Sequence, residues 1–205
     1  MVLGGGQYII WDSDIIPLQK IEFFSDCKDN KNTTESKAFF NYTTEFHKPY
    51  FSTMQALLPD LKKYVNFSFI TEYMPIDSTK MCDLLDRIEQ THKKPFWQAI
   101  LESISLQDLA FSGFSEFETY GNFLALHYPQ SFVLKKRKYD RFAKEIISTN
   151  PSDGQLKWYS KYYEIIGFES WSNVNPLALC LSKNALIRAL FSPKALRVLS
   201  KILLK

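Results

Sequence analysis

The chain has 205 residues, of which 45% are hydrophobic and 16% aromatic, a composition typical of a globular protein with a sizeable core and not of a disordered chain. Its 25 basic and 22 acidic residues are interspersed along most of the sequence and give a net charge of +3, so nucleic acid is not an expected partner. No run of about 18 apolar residues is present to span a bilayer, and three widely spaced cysteines match neither a disulfide framework nor a zinc site. We therefore expect a cytoplasmic protein.

The first predicted element is a buried strand at residues 8–11, a short continuous run of Tyr, Ile, Ile and Trp. It leads directly into Asp12-Ser13-Asp14. Ligands of open α/β sheets bind beyond the carboxyl ends of strands, and two carboxylates separated by one residue can both coordinate one hard cation. Asp12 and Asp14 are therefore predicted ligands of Mg²⁺ or Mn²⁺, and Trp11 is expected beside the bound ligand.

Further elements are predicted from the spacing of apolar residues and from flanking Pro, Asp and Ser residues. In chain order they are an extended piece at 21–24, a polar surface insertion at 26–34, a helix at 49–58, a strand at 66–71, helices through 81–88 and 97–104, a helix at 119–126, a strand at 132–134, a helix at 139–147 and a turn at 150–154. This alternation of strands and helices predicts an α/β fold.

Glu116 and Glu118 lie at the start of the predicted helix that leads into residues 119–126, in its first turn. They have two interpretations. A carboxylate near the reacting carbon can take the proton from an acceptor hydroxyl as a general base. Alternatively, Ser115 and Glu118 have the spacing of a capping box, in which both side chains satisfy free backbone N–H groups. Both interpretations stay open at this point.

Other candidate ligand-binding side chains are aromatic or can donate a hydrogen bond. His47 is the most suggestive of the three histidines because it lies beside an aromatic pair that includes Tyr50. Tyr50 and Tyr120 could stack on a sugar or a base, although most aromatic residues of so aromatic a chain must belong to the core. We include His47, Tyr50, Ser115 and Tyr120 as expected donor- or acceptor-binding residues.

The C-terminal residues 183–205 are expected to form a basic amphipathic helical tail after a main domain at 1–182. Ser192 is a suitable cap and Pro193 a suitable first helical residue, with apolar and basic side chains on separate faces. Such a helix can lie on the anionic inner face of a membrane, or it can pack its apolar face on the protein. For a single short helix, packing is the favoured alternative.

Together, residues 8–14, 47–51, 68–70 and 112–121 resemble an uncharacterised group of glycosyltransferase-like proteins in the GT-A superfamily, over roughly the first two thirds of the chain. The block at 112–121 is more specific than the Asp-x-Asp motif. The resemblance implies a Rossmann-type mixed sheet flanked by helices, a nucleotide-sugar donor, a glycan or lipid-linked acceptor, and Mn²⁺ or Mg²⁺ held in part by Asp12 and Asp14. Glu116 and Glu118 become candidates for acceptor binding or base catalysis.

The sequence departs from the GT-A pattern because the motif normally follows a nucleotide-binding half of about one hundred residues. Here it begins at residue 12, so the nucleotide-binding half is expected to be missing. Two alternatives stay open. One is a phosphatase of the haloacid-dehalogenase type with Asp12 as nucleophile and Asp14 as acid/base, and the other is an inactive remnant or interaction domain.

Overall fold

The computed structural model describes residues 6–25 and 36–203, and these residues form a mixed α/β protein. The strands in this part of the chain are β1 (Gln7–Trp11), β2 (Ile15–Pro17), β3 (Ala38–Phe40), β4 (Tyr73–Asp77), β5 (Phe132–Leu134), β6 (Tyr139–Asp140) and β7 (Ile165–Gly167). The helices are α1 (Lys48–Leu57), α2 (Ser78–His92), α3 (Phe96–Ser103), α4 (Glu116–His127), α5 (Lys144–Ile147), α6 (Asp153–Tyr159), α7 (Pro176–Lys183), α8 (Ala185–Leu190) and α9 (Pro193–Leu203), with a 3₁₀ helix at Leu109–Phe111. The polar insertion predicted at 26–34 lies outside the described residues.

The chain divides into two compact units. The first unit comprises residues 1–10 and 22–136, and the second comprises residues 11–21 and 137–205. Residues 183–205, the predicted tail, fall within the second unit. The second unit also contains the Asp12-Ser13-Asp14 motif, although that motif is far from most of the unit in sequence.

The first unit is built on short strands covered by helices α1 to α4. Strand β3 pairs in parallel with β5, and β1 is hydrogen-bonded to β4. Helix α2 begins at a strong cap, because the Asp77 carboxylate accepts hydrogen bonds from the backbone N–H groups of Thr79 and Lys80. The core is aromatic and aliphatic, and its fully buried members include Phe40, Leu57, Phe69, Ile88 and Phe123.

The second unit contains a three-stranded mixed sheet with the order β2-β7-β6. Strand β2 is antiparallel to β7, and β6 is parallel to it. Helices α5, α7 and α9 pack against one another, and a separate core includes Ile146, Trp158, Ile166 and Leu196. The sheet places the start of β2 beside the end of β7, with Ile15 opposite Gly167. This pairing determines which residues surround the aspartate motif.

Several predicted elements are confirmed, one is wrong, and two have different bounds. The strand at 8–11, the helix at 49–58 and the strand at 132–134 correspond to β1, α1 and β5. The strand at 8–11 is not buried as predicted, because Tyr8 is 40% exposed and Ile9, Ile10 and Trp11 are half-buried. The strand predicted at 66–71 is wrong, since Ser68 forms only an isolated bridge with Thr43 and the strand lies at Tyr73–Asp77. Pro75 inside that strand obscured it, because proline is tolerated only at sheet edges.

The helix predicted at 139–147 begins as strand β6 and becomes helical only from Lys144. The turn predicted at 150–154 ends earlier than expected, because Ser152 and Gln155 form a capping box that starts α6 at Asp153. The coarse α/β class is confirmed, and the described strands form sheets of two or three strands. Within residues 6–25 and 36–203, no helix has the length and apolar character needed to cross a membrane.

Candidate functional site

Asp12 and Asp14 flank the tight turn between β1 and β2. The backbone N–H of Ile15 donates a 3.3 Å hydrogen bond to the carbonyl of Asp12, and the N–H of Ser13 donates to Asp12 Oδ1 at 2.9 Å. The indole N–H of Trp11 donates to the carbonyl of Ile15 at 3.1 Å, so the predicted Trp11 closes this turn through its side chain. Two acids one residue apart are thereby held in a short turn that is closed by contacts of Trp11 and Asp12 with Ile15.

Strand β7 brings a third acid to this turn. The backbone N–H of Phe168 donates to the Asp14 carbonyl at 2.9 Å, and Glu169 follows directly. Glu169 forms an ion pair with Arg141, which follows β6. The ends of three neighbouring strand segments therefore contribute Asp14, Glu169 and Arg141 to one side of the second unit.

The pKa of the half-buried Asp14 side chain reflects this crowding. Burial raises the pKa of Asp14 above its ordinary value, the negative charges of Asp12 and Glu169 raise it further, and the positive charge of Arg141 opposes the rise. A carboxylate with a raised pKa beside other acids is stabilised as an anion by a cation placed between them. The negative charges of Asp12 and Glu169 would attract such a cation, whereas burial disfavours the charged form of Asp14.

An exposed tryptophan lies beside the charged cluster. Trp171 is 61% exposed, packs edge-to-face on Phe142 with ring centroids 5.5 Å apart, and has the Arg141 guanidinium 5.7 Å from its ring centre. Lys144 Nζ donates to the carbonyls of Glu169 and Ser170, both at 3.0 Å, and so holds the segment after β7 in place. A flat apolar surface and a second cationic group thus adjoin the Glu169–Arg141 pair.

Sequence reasoning missed Arg141, Glu169 and Trp171 as companions of the aspartate motif. They lie more than 120 residues away along the chain, and only the β2-β7-β6 sheet brings them to the same place. One sequence signal could have found the last two. Glu169-Ser170-Trp171 follows the apolar run Ile165-Ile166-Gly167 closely, as Asp12 follows the apolar run of β1.

The donor set at the turn suits a hard divalent cation that shares its ligands with a bound molecule. Within the ranges that the structure describes, no three His, Cys, Asp or Glu side chains are grouped so as to hold a metal between them. Asp12 and Asp14 offer carboxylate oxygens, which Mg²⁺ and Mn²⁺ prefer, and such ions commonly complete their coordination with water and phosphate oxygens. The residues fit that arrangement rather than a closed site made of protein ligands alone.

The predicted residues of the first unit are placed differently. Glu118 is fully buried in α4, where its carboxylate accepts hydrogen bonds from the Ser68 hydroxyl at 2.5 Å and from Asn122 Nδ2 at 3.0 Å. Ser115 caps α4 by accepting from the Glu118 N–H at 3.2 Å, so one half of the predicted capping box is formed. Glu116, two residues earlier than Glu118, is exposed to solvent.

The predicted aromatic and histidine residues are mostly engaged in packing. Tyr120 is 1% exposed, and its hydroxyl accepts from the backbone N–H of Asp77 at 3.0 Å; burial raises its pKa far above the ordinary value. His47 Nε2 lies 3.1 Å from the carbonyl of Phe111, and its ring packs edge-to-face on Tyr50 at 4.4 Å. His47 and Tyr50 are both half-buried, next to the first turn of α1.

The structure therefore brings together only part of the predicted set. Trp11, Asp12 and Asp14 belong to the second unit, whereas the other predicted residues, His47, Tyr50, Ser115, Glu116, Glu118 and Tyr120, belong to the first. Within each unit the geometry is defined by the contacts above. Comparison of the chain with protein-family models, curated proteins and solved structures finds no match.

Proposed function

We propose that this chain is a metal-dependent glycosyltransferase of the GT-A type, or the part of one that holds metal and acceptor. It would transfer a sugar from a nucleotide-sugar donor to a glycan or lipid-linked acceptor. The observation that carries the proposal is the turn between β1 and β2, where Asp12 and Asp14 are held at a strand end beside Glu169 and Arg141. The finer fold assignment, a Rossmann-like sheet, belongs to the same proposal and is supported by the parallel β3-β5 and β6-β7 pairs.

Each group around the turn has a use in sugar transfer. Asp12 and Asp14 would hold Mn²⁺ or Mg²⁺. The cation would neutralise the negative charge of the diphosphate that leaves with the nucleotide. The Arg141 guanidinium has the planar fork that pairs with phosphate oxygens. The exposed ring of Trp171 offers an apolar face of the kind on which the C–H face of a sugar packs.

On the acceptor side, the exposure of the two glutamates separates their roles. Glu116 is exposed and free to meet an acceptor hydroxyl, so it is the better candidate for the general base. Glu118 is closed off from solvent and occupied by Ser68 and Asn122, so we assign it to holding α4 against the segment around Ser68. Of these two acids, Glu116 is therefore the candidate general base and Glu118 has a structural role.

The proposal includes a cytoplasmic location. Cys82 and Cys180 are free thiols in the described part of the chain, and free thiols persist in reducing compartments. A location at the inner face of the membrane would give access to lipid-linked acceptors. A cytoplasmic location is compatible with both a glycan acceptor and a lipid-linked acceptor.

The deciding experiment is calorimetric binding of uridine and guanosine diphosphate to the full chain with Mn²⁺ and then with excess chelator. We expect nucleotide binding that requires Mn²⁺. Loss of a residue that merely supports a metal ligand costs roughly 10- to 100-fold in metal affinity, so Asp12→Asn and Asp14→Asn, which each remove a proposed ligand, should weaken binding by at least that much. Asp86→Asn is the matched control, because Asp86 is an exposed acid of α2 and its replacement removes the same charge. It should bind as the unaltered chain does.

Three results would overturn the transferase proposal. Equal binding with and without Mn²⁺ would remove the metal from the site. Formation of a beryllofluoride adduct on Asp12 would favour phosphatase chemistry, in which that carboxylate is the nucleophile. Absence of both metal and nucleotide binding would leave an interaction domain in which the two aspartates are solvated turn residues.

A further inference from the structure

The charge of this chain is unevenly distributed. Residues 170–205 contain six Lys and Arg residues and no Asp or Glu, whereas residues 1–169 contain 19 basic and 22 acidic residues. The small overall charge of +3 therefore conceals an acid-free C-terminal segment attached to a weakly acidic remainder. Within the described residues, this segment contains helices α7, α8 and α9.

Helix α9 is fixed to the second unit by one of its faces. Leu196 and Ser200 are fully buried, and Arg197 Nη2 donates to both carboxylate oxygens of Asp140 at 2.9 and 2.8 Å. The packing of the apolar face on the protein, which the sequence favours, is therefore present. It accounts for only one side of the helix.

The solvent-facing side of α9 is also partly apolar. Val198 and Ile202, four residues apart on one face, are 53% and 63% exposed. Lys194 and Lys201, two turns apart, line one edge of that face, and the Lys201 side chain is 61% exposed although its Nζ lies 3.8 Å from Glu145. The outward side of α9 therefore combines a lysine edge with exposed aliphatic side chains, which a surface helix that packs its apolar face on a core would normally bury.

The preceding helix repeats this pattern. In α8, Leu186 and Leu190 are four residues apart and are 73% and 76% exposed. Arg188 lies between them, and its guanidinium donates to the carbonyls of Ser182 and Lys183. Two successive helices thus expose large aliphatic side chains in a segment whose only charges are positive.

We propose that the exposed face of α9 binds an anionic lipid surface. Aliphatic side chains entering the boundary between head groups and acyl chains, with lysines at the level of the head groups, are the physical basis of interfacial helix binding. Each Lys or Arg near an anionic leaflet contributes about 1 kcal/mol, and each buried CH₂ about 0.8 kcal/mol. Both contributions are available on the solvent side of α9.

A lipid surface fits this face better than a protein partner does. Protein interfaces are depleted in lysine and rely on Trp, Tyr and Arg anchors, whereas the outward side chains here are Leu, Val, Ile and Lys. A second copy docking through the same face would bring Lys194 and Lys201 against their own equivalents. Residues 170–205 contain no acid to neutralise them, and Glu145, 3.8 Å from Lys201 Nζ, is already paired with Arg197 at 3.1 Å.

The lipid proposal goes beyond the proposed function and uses none of its site residues. It is tested by flotation of the full chain with vesicles of phosphatidylcholine alone and with vesicles containing about one third phosphatidylserine. Excess chelator and the absence of nucleotide separate this binding from that of Asp12 and Asp14. We expect flotation with the anionic vesicles only, and release at high salt because the attraction is screened.

Two pairs of substitutions distinguish the electrostatic contribution of the lysines from the apolar contribution of Val198 and Ile202. Lys194→Gln with Lys201→Gln should weaken binding to anionic vesicles roughly 20- to 30-fold, the equivalent of two lysine contributions. Val198→Ser with Ile202→Ser, at exposed positions that the core does not need, should weaken it about tenfold or more. Lys62→Gln with Lys161→Gln is the matched control, because both lysines are exposed and lie outside the acid-free segment.

The proposal is overturned if the chain floats equally with neutral vesicles, if it floats with neither, or if the control pair weakens binding as much as the α9 lysines. Sedimentation analysis provides a further check. A dimer that Val198→Ser with Ile202→Ser dissociates would assign this face to a second copy of the chain and would reject the lipid surface. A monomer with charge-dependent flotation supports it.

Discussion

The Ser68 hydroxyl donates a 2.5 Å hydrogen bond to Glu118 Oε1, and both residues are fully buried. Ser68 Oγ also accepts from the backbone N–H of Ile70 at 3.0 Å, and Asn122 Nδ2 donates to the other oxygen of Glu118. The carboxylate therefore ties α4 to a segment that forms no strand. It supplies part of the polar contact that a sheet would otherwise provide there.

Glu118→Ala should lower the free energy of unfolding by about 2–4 kcal/mol, because it leaves the buried Ser68 and Asn122 groups without their acceptor. Urea denaturation measures the loss. Glu116→Ala, on the exposed side of the same helix turn, should stay within about 0.5 kcal/mol of the unaltered chain. An unchanged urea midpoint for Glu118→Ala would mean that this carboxylate does not stabilise the fold.

Gly121→Ala should destabilise the first unit although alanine is the better helix former. A Cβ atom at Gly121 would lie 2.2 Å from the ring of Phe69, which is itself fully buried and cannot withdraw. We expect a net loss of about 1–3 kcal/mol, the usual cost of overpacking a core. Thermal unfolding followed by circular dichroism reports it.

Gly154→Ala is the matched control for Gly121→Ala. Gly154 also lies in a helix, but a Cβ atom there would meet the end of the Arg188 side chain at 3.1 Å and Ser152 Oγ at 4.0 Å, contacts that need a shift of at most a few tenths of an ångström. We expect stability to stay the same or to rise by up to about 1 kcal/mol from helix propensity. Equal destabilisation by both changes would show that the Phe69 ring is not the cause.

Arg197→Met should destabilise the second unit strongly. Asp140 is 5% exposed, and removal of Arg197 would leave its carboxylate buried without its cation, which costs about 3–5 kcal/mol. Arg87→Met is the control, because Arg87 and Asp83 form a partly exposed pair within α2 that contributes about 0–1 kcal/mol. Chemical denaturation of both variants tests the difference, and similar losses would contradict it.

The pKa of Asp14 should respond to its neighbour. Asp12→Asn removes one of the charges that raise the pKa, so the pKa should fall toward 3.8 yet stay above it, because burial is the larger cause. NMR titration of the Asp14 carboxyl carbon measures the change. Asp153→Asn, an exposed acid of α6 in the same unit, should leave the titration as it was.

The same shift sets the direction of the pH dependence. Folded Asp14 keeps its proton at pH values where the unfolded chain has lost it, so its contribution to stability falls as pH rises from 3.8 through the raised pKa. Above that window the contribution is constant. Asp12→Asn should narrow the pH range over which this contribution to stability is lost. An identical pH profile of stability in the variant would mean that the two carboxylates do not interact.

Local signals in the sequence predicted most of the helices. Asp77 and Ser115 cap α2 and α4, and Pro193 opens α9, because capping depends on residues within one helical turn. The strands were harder to predict. Tyr73–Asp77 carries a proline and Tyr139–Asp140 has only two residues, so neither shows an alternating pattern.

The candidate site was predictable only in its local part. Asp12 and Asp14 share one turn and stand out in the sequence, whereas Glu169 and Arg141 reach them through sheet pairing that no local pattern encodes. The burial of Glu118 and Tyr120 likewise follows from tertiary packing around Phe69 and Asp77. A site prediction limited to motifs therefore included side chains that the fold encloses.

Strand β2 pairs with β7 across about 150 residues of intervening chain. At the usual pace of synthesis, roughly 10–30 s separate the emergence of the two strands from the ribosome. During that interval Ile15, Ile16 and Pro17 have no sheet partner, and the turn that carries the two aspartates is not yet fixed on its second side. A nascent chain would thus complete its proposed cation site only once β7 has emerged, after the first unit has had time to fold.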